Sequence, residues 1–439
     1  MKKLQNNLII NKFFLDWIGL MSKFTKMNHS KEISTSELNL FQENRKRDLE
    51  NEIIKRGVVD IITEKGLKDR LLEKTPLRVK YGIDPTLRSI HIGHVVPIRK
   101  LKQFQELGHT AVFIIGDYTA KIGDPTGRSK TRKMLNKEEI QHNVKSFFDQ
   151  VYKILDRDRV EIHLQSEWYE KFDLEKIIGL MSKTTYGQLM CHETFSKRAK
   201  ENKILGFHEM LYPILQAYDS VAIKADVELG GIDQRFNFVI TRNLQKSFGQ
   251  RPEDVILTKY LPGVDGQEKM SKSLGNTVDL LDSPKNMYFK VMSIPDKLMP
   301  IFFELATDLP VKQVKNLINE YKRGKIHPMD LKKNLARSIT SLYHQKAEVD
   351  KAEQEFKKQI QQKEVPNNIQ TINVKEPSVD LIDLLIGAGL VNSKSEAKRL
   401  FKQKGIRVNN QIIEDSKFNI SDSIIIKVGK RRFLKVVLS

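Results

Sequence analysis

One cysteine, Cys191, in 439 residues excludes an internal disulfide framework and any cysteine-rich zinc site, since both need thiols in sets. Long hydrophobic runs are also missing. The longest, such as Ala111 to Gly116, fall far short of the ~18–20 apolar residues that cross a bilayer. No internal repeat is visible. Acidic charge is in deficit: 55 Asp and Glu stand against 75 Lys and Arg, a net +20 with a pI near 9.6. A hydrophobic content of 39% still suffices for a sizeable core, and the length suggests about two or three domains. The expectation is a soluble intracellular protein of several domains, with no membrane partner.

A cationic surplus suits a polyanionic partner, because each phosphate neutralised by Lys or Arg releases counterions. A lysine-rich proteome would produce it equally well, so its position matters. Residues 1–31 carry six Lys against one Asp, and residues 378–439 carry twelve Lys and Arg against six acids. The second surplus lies within a folded-looking module. The first 31 residues mix Lys and Asn with Phe13, Phe14, Trp17, Ile18 and Phe24, and they contain no Arg, which counts against an organellar leader. Residues 1–44 therefore read as a disordered extension, with Met21 and Met27 equally placed as the start. The compartment reads as cytoplasmic, with an organelle matrix as the alternative if residues 1–31 are a leader.

From Arg45 to Lys74, apolar residues (Leu49, Ile53, Ile54, Val58, Ile61, Ile62) recur at helical spacing among charges, which predicts a helix. A strand-like run from Leu77 to Ile83, a helical pattern from about His94 to Leu107 and a strand from Thr110 to Ile115 form a strand–helix–strand unit, the building block of a parallel sheet. Pro97 would clash with the carbonyl of Gly93 inside a helix, which places the helix start close to His94. Helix and strand alternate to about Met292. Ile294 to Lys363 is helical in pattern, broken at Pro310 and at Gly324–Pro328. Residues 365–377 read as a linker. Beyond it come a helix from Leu381 to Leu385, a basic helix from Ser393 to Lys404, and β-like runs at Ile424–Val428 and Phe433–Leu438. The fold class is α/β: a Rossmann-like parallel-sheet catalytic domain (45–292), an α-helical bundle (293–364) and a small α+β RNA-binding domain (378–439).

His91-Ile92-Gly93-His94 opens the first crossover helix. A helix N-terminus offers unpaired N–H groups and partial positive charge, suited to phosphate; by itself the pair could equally be structural. Lys269-Met270-Ser271-Lys272-Ser273 frames a Gly-flanked segment fit to clamp polyphosphate, or else forms a solvated basic turn. The two in this order resemble the HIGH and KMSKS signatures of class I aminoacyl-tRNA synthetases. Tyr212, Gln216 and Asp219 fall at i, i+4 and i+7, one face of a helix. If buried, they would have to be satisfied, which a substrate with an ammonium at one end and a hydroxyl at the other would do. The alternative is an ordinary amphipathic helix with its polar side in water. Gly230-Gly231-Ile232-Asp233-Gln234 follows a strand, where glycines admit a nucleotide and an Asp can bind ribose hydroxyls. Gly123-Asp124-Pro125-Thr126-Gly127 makes a tight turn, followed by Arg128, Lys130 and Arg132, without the spacing of a Walker loop.

Together these elements resemble a tyrosyl-tRNA synthetase of the bacterial and organellar kind, over roughly residues 45–439. The resemblance implies that Asp219 accepts the substrate phenol, that Asp124, Tyr212 and Gln216 hold its ammonium, and that Gln234 lies beside its carboxyl group. It implies an ATP site of Gly82, Asp84, Thr86, His91, His94, Gly231, Asp233 and Lys272. His91, His94, Lys269 and Lys272 would be catalytic, and Arg128 and Arg132 would help grip the departing pyrophosphate. ATP with magnesium is the expected co-substrate, and tRNA(Tyr) and a second copy of the chain are the expected partners, with no resident metal. Three positions depart from the family pattern. Lys80 stands where many members place a tyrosine that contacts the phenol, and a lysine there could donate to the phenol oxygen. Pro97 replaces a threonine or small residue, and Ile232 a threonine or serine.

Residues 395–409 resemble the small RNA-binding module of a ribosomal protein that also ends bacterial tyrosyl enzymes. This implies RNA contacts through Lys398, Arg399, Lys402 and Arg407, to which the run Lys430-Arg431-Arg432 adds charge. The helical stretch before it resembles the anticodon-binding bundle. Two rivals stand beside this reading. One is a tryptophanyl enzyme, whose indole only donates. The other is a synthetase-derived RNA-binding protein without catalysis, against which intact HIGH and KMSKS segments argue.

Overall fold

The computed structural model describes residues 52–73, 75–126, 135–358, 369–374, 376–391, 393–409, 411–413, 415–420, 423–429 and 432–438. The N-terminal extension, Arg128, Arg132, Lys430 and Arg431 lie outside them. The chain divides into two compact units, one ending at Val349 and one beginning at Asp350.

The first unit is built on a six-stranded sheet. Its strands are β1 (Val58–Ile62), β2 (Arg78–Ile83), β3 (Thr110–Ile115), β4 (Val160–Leu164), β5 (Val227–Gly231) and β6 (Asp254–Thr258), in the spatial order β1-β6-β5-β2-β3-β4. All neighbours run parallel except β1, which pairs antiparallel with β6. Every residue of β6, and all but the first of β3, is buried, as parallel strands covered on both faces must be. Side-chain alternation splits β3 between two layers. Ala111, Phe113 and Ile115 join Leu101, Phe104, Phe147 and Val151 on one face, while Val112 and Ile114 meet Ile223 and Ala225 on the other.

Two local readings of the sequence change here. Val58–Ile62, expected within a helix, is a strand. Gly57 adopts φ +65° and ends the preceding turn, and the Val-Val-Asp-Ile-Ile run that follows is rich in β-branched residues, which favour extended chain. Helix α1 (Glu64–Leu72) comes only afterwards. Helix α2 (Ile92–Glu106) starts two residues before His94 and contains Pro97. The amide that proline lacks is the one that would have reached Gly93. The first turn is secured otherwise: His94 N–H donates to the His91 carbonyl at 2.9 Å, and Ile92 N–H donates to Val278 at 2.9 Å. Next in order are α3 (Lys137–Val151), α4 (Phe207–Ile223) and α5 (Arg235–Ser247), and the unit continues through α6 (Pro284–Met292), α7 (Met299–Ala306), α8 (Val311–Lys322) and α9 (Pro328–Thr340).

The second unit holds a five-stranded sheet, order β10-β9-β12-β13-β7, and a two-stranded sheet of β8 and β11. These are β7 (Gln370–Val374), β8 (Ser378–Asp380), β9 (Ile406–Val408), β10 (Gln411–Ile412), β11 (Lys417–Asn419), β12 (Ser423–Val428) and β13 (Arg432–Leu438). The stretch expected as a linker thus contains a strand, β7, which pairs in parallel with β13 from Gln370↔Leu434 to Val374↔Leu438. Its polar composition hid it because Gln370, Thr371 and Asn373 are exposed and only alternate residues turn inward. Helices α10 (Leu381–Gly387) and α11 (Lys394–Lys402) complete the core with Leu385, Ala397 and Phe401.

Candidate active site

The sheet creates the site where its strand order reverses. β2 keeps register with β3 along its whole length, from Arg78↔Thr110 to Ile83↔Ile115. With β5 it pairs only at Val79↔Val227 and Lys80↔Glu228. Beyond that pair the strands part and leave a crevice at their carboxyl ends, the place where open α/β sheets bind ligands. The crevice widens into a cavity of about 490 Å³. His91, His94, Lys269, Lys272, Gly82, Asp84, Thr86, Gly231, Asp233, Asp124, Tyr212, Gln216, Asp219 and Gln234 all line it. Residues spread over the first unit's chain thus meet in one hollow.

At its mouth, His91 is the N-cap of α2, and no acidic residue occupies the first turn to neutralise the helix dipole. The His91 and His94 rings stack with centroids 3.6 Å apart. A Cβ on Gly93 would lie 2.9 Å from His91 Nδ1, so only glycine leaves that ring its place. Burial pushes both imidazoles well below their usual range, His94 to about 3, and the positive charges of Lys272 and Lys269 push the same way. Both are therefore neutral at physiological pH and act as hydrogen-bonding groups rather than cations. The Nδ1 atoms of both are buried without a hydrogen-bond partner.

The lysine segment folds over this end. Ile92 N–H donates to Val278 and Leu280 N–H to Ile90, each at 2.9 Å, tying the chain after the segment to the start of α2. Ser271 N–H donates to Asn276 Oδ1 at 2.8 Å. Lys269 Nζ pairs with Asp233 at 2.8 Å, and Lys272 Nζ donates to Ser89 Oγ at 2.6 Å. Burial lowers the Lys272 ammonium from its usual value, against the opposing pull of Asp279 and Asp282.

At the closed end, α4 carries Tyr212, Gln216 and Asp219 on the face toward the cavity. Asp219 is 2% exposed. Its Oδ2 accepts from Gln165 Nε2 at 2.7 Å. The orientation of that amide is set, because Gln165 Oε1 accepts the backbone N–H of Thr119 at 2.9 Å. Asp219 Oδ1 is buried with no partner; the nearby Tyr169 hydroxyl spends its proton on the Leu215 carbonyl at 2.6 Å. Burial pushes the Asp219 carboxyl up to about 7, with Lys80 and the Gln165 bond opposing. Tyr212 Oη donates to Asp84 Oδ2 at 3.0 Å, and Thr119 Oγ1 donates to Asp84 Oδ1 at 2.6 Å. Gln234 Nε2 donates to Asp124 Oδ2 at 2.7 Å, and Asn237 Nδ2 joins Gln216 to Gln234 with two bonds of 2.9 Å.

Sequence reasoning missed Thr119, Gln165 and Asn237. Thr119 and Gln165 had one available signal: both follow the carboxyl ends of parallel strands, β3 and β4. Asn237 had another, its place three residues after Gln234 on a helix. The possibility that Lys80 donates to the phenol does not hold. Its Nζ is bonded to Glu228 Oε1 (2.8 Å), Ser220 Oγ (2.8 Å) and the Gln216 carbonyl (3.2 Å), which accounts for all three hydrogens.

In the second unit, α11 buries Ala397 and Phe401 and exposes Lys398, Arg399 and Lys402. Alternation in β9 buries Ile406 and Val408 and turns Arg407 outward. Arg432 pairs with Glu396 at 3.1 Å.

A family model of class I tRNA synthetases (W and Y) matches residues 72–361, which sets the class. A second, for the tyrosine–tRNA ligase SYY-like C-terminal domain, matches residues 359–436. The tyrosine–tRNA ligase of Carboxydothermus hydrogenoformans is 45% identical over 404 residues, covering 89% of this chain and 98% of the relative. That of Dehalococcoides mccartyi is 43% identical over 388 residues, covering 88% and 98%. The chain belongs to the tyrosine–tRNA ligase family. Its fold is shared with a C-terminally truncated mitochondrial tyrosyl-tRNA synthetase of Aspergillus nidulans (TM-score 0.59, 20% identity, covering 73% of this chain and 100% of that one). It is shared too with a tyrosyl-tRNA synthetase of Archaeoglobus fulgidus solved with L-tyrosine (TM-score 0.57, 23% identity, covering 70% and 98%).

Proposed function

We propose that this cavity is where the enzyme activates tyrosine with ATP before transfer to tRNA(Tyr). The observation that carries the reading is Asp219, a buried carboxylate with one oxygen unpaired, at the floor of a cavity whose mouth holds two neutral imidazoles and two lysines. A phenol hydroxyl donating to Oδ1 would satisfy it. Phenylalanine would leave it bare and desolvated, which is costly. Asp124, Tyr212 and Gln216 take the ammonium, and Gln234 lies by the carboxyl group. Gly82, Asp84, Thr86, Gly231 and Asp233 take ATP along the parted strands.

The tyrosine carboxylate attacks the α-phosphorus in line and pyrophosphate leaves. A terminal ribose hydroxyl of tRNA then takes the acyl group from the adenylate. No covalent enzyme intermediate is needed, so catalysis consists of positioning and of positive charge placed where negative charge grows. His91 and His94 hydrogen-bond the phosphates, and Lys269 and Lys272 close on them, with Arg128 and Arg132 assisting. Among the described residues no three His, Cys, Asp or Glu side chains come together as a metal cluster. Magnesium is read as a companion of ATP, neutralising phosphate charge.

The exposed Lys398, Arg399, Lys402 and Arg407 support an RNA-binding role for the second unit, and residues 293–364 are read as the anticodon-binding bundle. The helix Leu174–Met181 exposes Leu174, Ile177, Ile178 and Met181, to between 38% and 71%. Spaced i, i+3, i+4 and i+7, they form an apolar stripe that supports a homodimer. Among the described residues no helix is long and apolar enough to cross a membrane, and the bacterial relatives support a cytoplasmic location. ATP–pyrophosphate exchange with each amino acid in turn tests the reading. Tyrosine alone should sustain it; exchange driven by tryptophan, or by none, would overturn it.

A further inference from the structure

Beneath Asp219, at the closed end of the cavity, lies a group of ionisable side chains that the reaction does not use directly. Lys80 and Glu253 are fully buried, and Glu228 and Asp219 are 1% and 2% exposed. Lys80 and Glu228 are the last register pair before β2 and β5 part, so the cation is fixed at the apex of the crevice. Its ammonium bonds Glu228, Ser220 Oγ and the Gln216 carbonyl. The last two belong to α4, on either side of Asp219 in sequence. Lys80 therefore does two things: it ties α4 to the sheet, and it sets a positive charge under the carboxylate that α4 presents.

We infer that Lys80 is a positioning residue for recognition of the substrate hydroxyl: anchored by Glu228, it keeps buried Asp219 ionised and so sets the pH range over which tyrosine binds. The inference rests on the assignment of the cavity to tyrosine. Charge balance gives the reason. Around Asp219 stand Lys80 and Asp84 from β2 and its end, Glu228 from β5, Tyr169 from the helix Ser166–Tyr169, and Tyr212 on α4 itself; Glu253, just before β6, stands behind Glu228 and Lys80. Only Lys80 is a cation. Glu253 is driven well above the usual carboxylate range, by burial first and then by Glu228. Lys80 is thus the one positive charge beside both Glu228 and Asp219. Without it, an anion at Asp219 would stand buried beside the carboxyls of Glu228 and Asp84 with no positive charge to offset them, and such carboxyls take up a proton instead. A protonated Asp219 accepts a hydrogen bond from a phenol far less well than a carboxylate does.

The two partners of the ion pair act on Asp219 with opposite sign, and this separates an electrostatic role from a structural one. The experiment measures tyrosine dissociation constants of the full chain between about pH 5.5 and 8.5. Wild type should lose affinity as the pH falls through an inflection near neutrality. Lys80→Met should move that inflection up by about one unit, a roughly fivefold weaker affinity at pH 7 that recovers at the alkaline end. Glu228→Gln should move it down. If Lys80→Met does not fold, Glu228→Gln decides, together with the double variant Lys80→Met/Glu228→Gln. The double variant removes opposed charges and should restore an inflection close to wild type. An inflection that stays put in the folded single variants, or that moves the same way in both, overturns the inference. Failure of wild type to bind tyrosine would instead strike the assignment of the cavity.

Discussion

At the scale of single residues, Asp219 shows binding and stability in opposition. Its carboxyl sits at about 7 in the folded chain, against an ordinary 3.8. Between those values the folded state holds more protons than the unfolded state, so stability falls as pH rises, and above about pH 7 the cost of the buried anion, about 4 kcal/mol, is fully present. Asp219→Asn removes the charge and keeps the shape. Chemical denaturation should find it more stable than wild type at about pH 8, with the difference gone by about pH 4, while tyrosine-dependent exchange collapses. Equal effects at the two pH values would refute the account. Asp219 was legible in the sequence through the i, i+4, i+7 stripe. Gln165, which orients it, was not, because only the return of β4 beside β3 brings that amide under α4. Lys80 was legible as a departure from the family pattern, but its role was not. A lysine's direction depends on where acceptors lie, and Glu228 arrives from a strand far along the chain.

Among the elements, the lysine segment and the start of α2 act as a pair. The segment is held to the protein by backbone bonds at Leu261, Ile90 and Val278, and its lysines reach Ser89 and Asp233. Both partners line the cavity near the start of α2, the end proposed to take the phosphates. Lys272→Ala should therefore lower the rate of adenylate formation by about 10²–10³-fold, as loss of one preorganised charge contact does, and leave the tyrosine dissociation constant nearly unchanged. Pre-steady-state fluorescence of adenylate formation checks this; equal losses in rate and affinity would contradict a contact made only in the transition state. Elements were readable where the pattern was strong. Thr110–Ile115 is a strand at the positions its apolar run predicts. The reading failed at Val58–Ile62 and at β7. In the first, short β-branched runs fit both periods until Gly57 breaks the chain. In the second, a two-sided edge strand buries too little to leave an apolar signature.

For the molecule as a whole, two units with separate cores imply separable work. Among the described residues, those of the first unit's core and cavity all precede Val349. A chain ending at residue 358 should thus retain ATP–pyrophosphate exchange within about twofold, while its aminoacylation of tRNA falls steeply and loses much of its salt dependence, since phosphate contacts carry that dependence. Loss of exchange in a truncated chain that still unfolds cooperatively would show that the second unit supports the catalytic one. The proposed homodimer is tested by Ile178→Asp, which should leave single chains in sedimentation, because a charge placed in that apolar stripe must be desolvated on pairing. A sedimentation profile unchanged from wild type would place the seam elsewhere.

The sequence by itself determined the parts that depend on near neighbours. These are the alternation of strands and helices, the histidine pair at a helix start, the paired lysines, the stripe on α4, and the basic face of α11 with its Arg407 neighbour. Each is set by spacing within a few residues, where backbone period and side-chain type suffice. Only the tertiary structure decided which charges meet. Strands β2 and β5 separate just after Lys80 and Glu228, and that divergence makes the crevice, seals the ion pair beneath it and takes Asp219 out of water. Burial and pairing are properties of the space between segments distant along the chain, and no local pattern encodes them.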